Sequence, residues 1–133
     1  MTKTMYLGID CGTQGTKALV MDHEGNALAK GYATHPLIER STGAREQEPE
    51  WWVASLKEAV QQALQQLPSA EIRALGVSGQ QHGLVILDEA LQVIRPAKLW
   101  NDTDTAPQKE ALIQRFGGRQ AFFERFGIAP LTG

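Results

Sequence analysis

The chain has 133 residues, 42% of them hydrophobic, which is the size of one domain and enough apolar content for one packed core. Thirteen lysines and arginines against fifteen acids leave a net charge of −2 with both signs scattered, so a basic face for nucleic acid is not expected. The opening "MTKTMYLGIDCG" is too short for a signal-peptide core, no apolar run approaches the roughly 18 residues of a membrane span, and one cysteine forms no internal disulfide; the expected compartment is the cytoplasm.

In chain order, Tyr6 to Asp10 and Thr16 to Met21 are short apolar runs joined by a glycine-rich link, which predicts a β-hairpin whose loop carries Gly12 and Gly15. Asp22 to Asn26 reads as a second turn, because "EGN" supplies residues that tolerate positive φ, and Ala27 to Thr34 returns as a third antiparallel strand. The stretch "HPLIERSTGAREQE", residues 35–48, has loop composition. From Pro49 a three- and four-residue apolar period through Trp52, Leu56, Ala59, Ala63 and Leu67 predicts a helix, with proline suited to its first position.

"IRALGVSG", Ile72 to Gly79, reads as a buried strand followed by the polar "QQHG". Val85 to Leu87 and Val93 to Leu99 are further expected strands, with Asp88-Glu89 opening the turn between them. The tail after Asp104 is helical and broken at Gly117-Gly118, and its end, "FGIAPLTG", shows no clear stop signal. Three strands, a helix, three strands and then helices predict an α/β layer architecture.

Chemistry concentrates first in the hairpin loop. Glycines let a backbone rich in N–H groups approach a phosphate chain, Lys17 adds positive charge, and Asp10, with a reference pKa of about 3.9, is an ionised carboxylate able to hold Mg²⁺ through its waters. Neither G-x-x-x-x-G-K-[ST] nor G-x-G-x-x-G followed by a helix occurs, so the geometry would be strand, turn, strand. The same residues can equally do no more than close a tight hairpin.

A second group of candidates lies at predicted strand ends, where ligands collect in open α/β sheets. Gln80, Gln81 and His82 offer neutral donors and acceptors suited to a polyhydroxylated molecule, or simply form a polar turn. Trp100 can present a ring to sugar C–H groups while Asn101 and Asp102 bind hydroxyls; read singly, they are a core aromatic and a turn or helix cap. His23, His35 and His82 lack metal-ligand spacing, and Asp102 and Asp104 do not continue into a calcium loop. Cys11 reads as a small packed residue, and the arginines and phenylalanines from Arg115 to Phe126 as one amphipathic region facing the core.

"GIDCGTQGTKALVMDHEG" resembles the first phosphate-binding hairpin of the actin, hexokinase and sugar-kinase superfamily, and within it the FGGY carbohydrate kinases. "GQQHG", "LWND" and the helix lead-in "EQEPEWW", where Glu48 stands in place of the family's aspartate, are similar to the members of that family that phosphorylate xylulose.

The resemblance implies a ribonuclease H-like (actin-like ATPase) domain: a mixed sheet opening on an antiparallel three-strand meander, flanked by helices and incomplete. Residues 1–133 would be a partial amino-terminal domain of a two-domain protein. It implies ATP and Mg²⁺, with Asp10 as the catalytic, metal-associated acid and Gly12, Thr13, Gln14, Gly15 and Lys17 at the phosphates. Gln81, His82, Trp100, Asn101 and Asp102 would face the sugar. The implied reaction is γ-phosphoryl transfer to a ketose, D-xylulose foremost. Ribulose, gluconate, glycerol or a signalling ketose, or a non-catalytic sugar- or nucleotide-binding module, are the alternatives. The family's proton-accepting aspartate and its second domain would lie beyond Gly133, so these residues alone are expected to turn over little, and an uncovered apolar edge would favour a homodimer.

Overall fold

The structure is a computed structural model and describes residues 4–69 and 71–133. In chain order its elements are β1 (Thr4–Cys11), β2 (Gly15–Asp22), β3 (Ala27–Thr34), β4 (Ile38–Glu39), β5 (Arg45–Gln47), α1 (Pro49–Gln65), β6 (Glu71–Gly79), β7 (Ala97–Lys98), α2 (Ala106–Arg115) and α3 (Arg119–Phe126). They form two compact units: the chain up to Pro36 with Glu48–Gln80, and Leu37–Gln47 with Gln81–Gly133.

The first unit is a four-stranded sheet in the order β3-β2-β1-β6. The expected meander is present: β1 pairs antiparallel with β2 and β2 with β3, while β6 joins β1 in parallel after the crossover through α1. Alternation along β1 and β2 sends Met5, Leu7, Ile9, Ala18 and Val20 to one face, where they meet Ala59 and Ala63 of α1. Small residues line this contact because the helix lies very close to β3. A Cβ on Gly31 would collide with the Ala59 carbonyl.

Helix α1 starts at Pro49 as its proline predicts. Glu48 makes no side-chain cap; its carbonyl instead accepts from the Trp51 N–H at 3.0 Å. The turn after β2 has Gly25 at φ 87°, and the Asp22 carboxylate accepts from the N–H groups of Glu24 and Asn26.

One expectation for this unit is corrected. β6 is not buried: Leu75 and Val77 are 64% and 61% exposed. The strand lies at the sheet edge beyond β1, and α1 packs chiefly across β2 and β3, so Ile72 still packs against the core while Leu75 and Val77 stay exposed.

The second unit departs further from expectation. Residues 35–48 were expected to be loop, but β4 and β5 pair there and β5 also pairs with β7. Charge builds this small sheet: Glu46, nearly buried, is bridged by Arg40, Arg95 and Lys98, a pattern that carries no apolar period. The strands expected at Val85–Leu87 and Val93–Leu99 shrink to a bridge between Leu87 and Val93 and to the two residues of β7. Pro96 has no N–H to offer a ladder. The turn between them is present, with Asp88 N–H bonded to the Gln92 carbonyl at 2.9 Å and Leu91 at φ 61°.

Gly117 and Gly118, both at positive φ, break the tail into α2 and α3 as expected. A stop signal is present after all, because Gly127 adopts a left-handed φ of 72° and its N–H bonds to the Phe123 carbonyl at 2.8 Å. The aromatic region is only partly inward: Phe122 is buried against Phe116, whereas Phe123 is 53% exposed. No helix among the described residues is long and apolar enough to cross a membrane.

Candidate functional site

The hairpin gathers six of the predicted residues. Asp10 and Lys17 are register partners across β1 and β2 and therefore share a face of the sheet. With Ser78 from β6 they line a cavity of about 940 Å³, whose floor at Gly8 and Gly76 carries no side chain. The Ser78 hydroxyl donates to Asp10 Oδ1 at 2.9 Å, so one carboxylate oxygen is held and Oδ2 has no hydrogen-bond partner among the described residues. Ser78 was not singled out in the sequence; only the parallel β1–β6 register puts it beside Asp10.

Gly12, Thr13, Gln14 and Gly15 form the tight turn, closed by the Gly12 N–H on the Gly15 carbonyl at 3.0 Å. Neither glycine has positive φ; Gly15 is required by space, since a Cβ there would press on the Ala33 carbonyl and the Tyr32 hydroxyl. Gln80, grouped in the sequence with the sugar turn, is tied to this hairpin instead. Its N–H donates to the Cys11 carbonyl at 2.9 Å and its Oε1 accepts from Thr13 Oγ1 at 3.2 Å.

Beneath the loop runs a buried polar group that the sequence did not reveal. His35 is 8% exposed, with Nε2 2.9 Å from the Gly12 carbonyl and Nδ1 3.0 Å from the Ser55 hydroxyl, which in turn lies 2.9 Å from Thr16 Oγ1. Cys11 is half-buried and its sulfur accepts from Thr16 Oγ1 at 3.6 Å.

A single exposed carboxylate with a free oxygen, beside a turn of backbone donors and a lysine, fits Mg²⁺ carried on phosphate groups, since that ion takes one or two carboxylates and keeps its waters. Among the described residues no three His, Cys, Asp or Glu side chains cluster as a dedicated metal site.

The second unit holds the other candidates. Gln81 is exposed, and His82 is exposed at φ 68°, a left-handed conformation that non-glycine residues adopt at a cost and that recurs at ligand sites. His82 and Trp100, the latter 54% exposed, line a cavity of about 250 Å³ with residues 128–133. That is just below the size of drug-scale pockets, about 300 Å³ and upward, and suits a small molecule.

Asn101 and Asp102 differ. Asn101 Oδ1 is a buried acceptor without a hydrogen-bond partner among the described residues. Asp102, expected at the sugar hydroxyls, is fully buried. Its Oδ2 accepts from the Arg45 N–H at 2.8 Å and Lys98 Nζ at 3.0 Å, and its Oδ1 from the Asp104 N–H at 3.0 Å. Burial pushes the Asp102 carboxyl up, but the Arg45 bond and the Lys98 bond and charge outweigh it, leaving the group below the usual carboxylate range. Lys98 mirrors this: burial pulls it down, Asp102 and Glu46 pull it up, and the net shift is upward. Asp102 thus anchors the "LWND" turn rather than offering oxygens to a ligand.

Residues 5–133 match the N-terminal domain of the FGGY family of carbohydrate kinases, and the chain belongs to that family. It is 48% identical to a xylulose kinase of Haemophilus influenzae over 97% of this chain and 28% of that protein's length. It is 44% identical to a xylulose kinase of Streptomyces coelicolor over 95% of this chain and 26% of that protein. The crystal structure of xylulose kinase from Bifidobacterium adolescentis superposes with a TM-score of 0.80 at 37% identity, covering 97% of this chain and 27% of that one. The chain therefore spans about a quarter of the length of these relatives. The expected actin-like fold is the one observed, α/β with a mixed sheet and helices.

Proposed function

We propose that this chain forms part of an ATP-dependent sugar kinase that transfers the γ-phosphoryl group of ATP to a hydroxyl of D-xylulose. The observation that carries the reading is Asp10, exposed, fixed through Ser78 and set beside a turn of backbone donors with Lys17 across the ladder. The similarity to xylulose kinases supports the choice of acceptor.

In this reading the turn of Gly12, Thr13, Gln14 and Gly15, closed by the Gly12 N–H on the Gly15 carbonyl, brings its backbone up to the phosphates and Lys17 neutralises part of their charge. Asp10 would hold Mg²⁺, which when bound draws charge from the phosphate oxygens. On the sugar side Gln81 and His82 supply hydrogen bonds, Trp100 a ring face and Asn101 an acceptor, while Asp102 keeps Trp100 and Asn101 in place. No arginine occurs among residues 80–83, which favours a neutral acceptor over a carboxylate such as gluconate. By the family resemblance, the aspartate that takes the acceptor's proton belongs to the protein outside these residues. With ATP as co-substrate, the compartment we propose is the cytoplasm.

The test is ADP release by the complete reading frame encoding this chain, with Mg-ATP and a panel of D-xylulose, D-ribulose, L-ribulose, gluconate and glycerol. Preferential turnover of D-xylulose is expected. Preference for another polyol would move the specificity, and no turnover on any of them would overturn the kinase reading.

A further inference from the structure

We infer that His35 is a positioning residue of the hairpin, holding the Gly12 carbonyl inward so that the following peptide's N–H, that of Thr13, points to the opposite side. This rests on the phosphate reading for its consequence but not for its geometry.

A carbonyl oxygen only accepts, so the contact of His35 Nε2 with Gly12 O at 2.9 Å requires the proton on Nε2. In the neutral ring Nδ1 is then the acceptor, and the order of donation runs from Thr16 to Ser55 to His35 to Gly12, the single Thr16 proton turning from the Cys11 sulfur to Ser55. In the imidazolium Nδ1 donates to Ser55, whose proton turns to the Trp52 carbonyl 3.1 Å away. The bond to Gly12 is common to both states.

The Gly12–Thr13 peptide is trans, with its C=O and N–H pointing in opposite directions. Fixing the carbonyl on the buried imidazole therefore fixes where the Thr13 N–H aims. The Gly12 N–H is already committed to the Gly15 carbonyl, so both polar groups of Gly12 are held. The ring itself has little freedom: it is 8% exposed, and Ser55, 3% exposed on α1, holds its other nitrogen. Helix α1 thus reaches the loop through one hydroxyl and one imidazole, and the donor array is set before any ligand arrives.

Two variants separate this role from mere packing. In His35→Gln the longer side chain can still bring an N–H to the Gly12 carbonyl; in His35→Asn the shorter amide reaches only Ser55. In the protein expressed from its complete reading frame, amide exchange over residues 12–15 should rise about tenfold in His35→Asn and stay within about threefold of wild type in His35→Gln. The KM for Mg-ATP should rise about tenfold in His35→Asn only, with the KM for D-xylulose unchanged. Ser55→Ala, which leaves the histidine in place, should raise exchange over the same residues severalfold, and it stands as the second probe if a histidine variant does not fold.

Equal exchange in His35→Asn and His35→Gln, or no change in Ser55→Ala, overturns the inference. If exchange follows the expected order while neither His35→Asn nor Asp10→Asn alters any ATP parameter, the pinning stands and the phosphate reading is what fails.

Discussion

The hairpin around Gly12–Gly15 and the stretch from Gln81 to Asp102 each carry predicted ligand residues, and they are held by different means. The hairpin ends two long strands, is bonded to Gln80, and sits on the His35–Ser55–Thr16 group, so it is held by a set of buried and half-buried hydrogen bonds. From Gln81 to Leu91 every residue is exposed, with a single bridge at Leu87 and Val93. Burial returns at β7, where the Leu99 N–H bonds to the Arg45 carbonyl at 2.9 Å, and at Asp102, held by an ion pair and two backbone N–H groups. Polar groups preset by a lattice of hydrogen bonds suit electrostatic stabilisation of a charged phosphoryl group, which depends on dipoles fixed in advance. An exposed segment anchored at its far end suits a ligand recognised by several weak contacts.

The largest effect should come from breaking the hairpin's chemistry while leaving its structure. Asp10→Asn keeps an oxygen for Ser78 but removes the charge, and steady-state ADP release should fall about a thousandfold at unchanged melting temperature. A loss of less than tenfold would remove Asp10 from the metal role.

Next in size is the anchor of the other region. Asp102→Ala leaves two backbone donors, the N–H groups of Arg45 and Asp104, without their acceptor and Lys98, one-fifth exposed, without its partner at 3.0 Å. Denaturant unfolding should show a loss of about 3 kcal/mol, the lower end for a broken buried pair because Lys98 keeps Glu46 at 3.4 Å. The pH dependence has a definite sign. Asp102 has its folded pKa depressed, so its contribution is present above the unfolded value and is lost as pH falls through the lower folded one. Lys98 has its folded pKa raised, so its contribution is present below the unfolded value and is lost as pH rises through the higher folded one. Wild type minus Asp102→Ala should therefore be flat from about pH 5 to pH 9 and shrink outside that window. A difference that peaks within it would contradict the assignment.

Smaller still, Trp100→Ala should raise the KM for D-xylulose about tenfold through lost ring contact. The smallest expected effect lies away from both regions: Gly25→Ala has open space for its Cβ but must hold φ at 87°, which should cost about 1 kcal/mol in the same unfolding experiment, with kinetics unchanged.

What could be read from the sequence follows this division. The meander, the start of α1 at Pro49 and the break at Gly117-Gly118 are local signals of period, proline and glycine, and they are where the residues place them. That Asp10 and Lys17 share a face follows from two strands and a short turn. Ser78 beside Asp10, and His35 beneath Gly12, needed the register of β1 with β6 and the seating of α1, which join residues 68 and 23 positions apart. Strand β5 was illegible because ion pairs, not apolar alternation, build it. The burial of Asp102 was hidden for the same reason, since its partners Arg45 and Lys98 lie on separate strands. The exposure of β6 could not be foreseen either, because an apolar strand reads as buried wherever it falls in a sheet.

The most direct test of the central claim is the Michaelis constant for each substrate in Lys17→Ala and Trp100→Ala, measured in the protein expressed from its complete reading frame. The account predicts that Lys17→Ala raises the KM for Mg-ATP and leaves that for D-xylulose in place, and that Trp100→Ala does the reverse. If both substitutions shift the same constant, the assignment of one region to the phosphates and the other to the sugar is wrong.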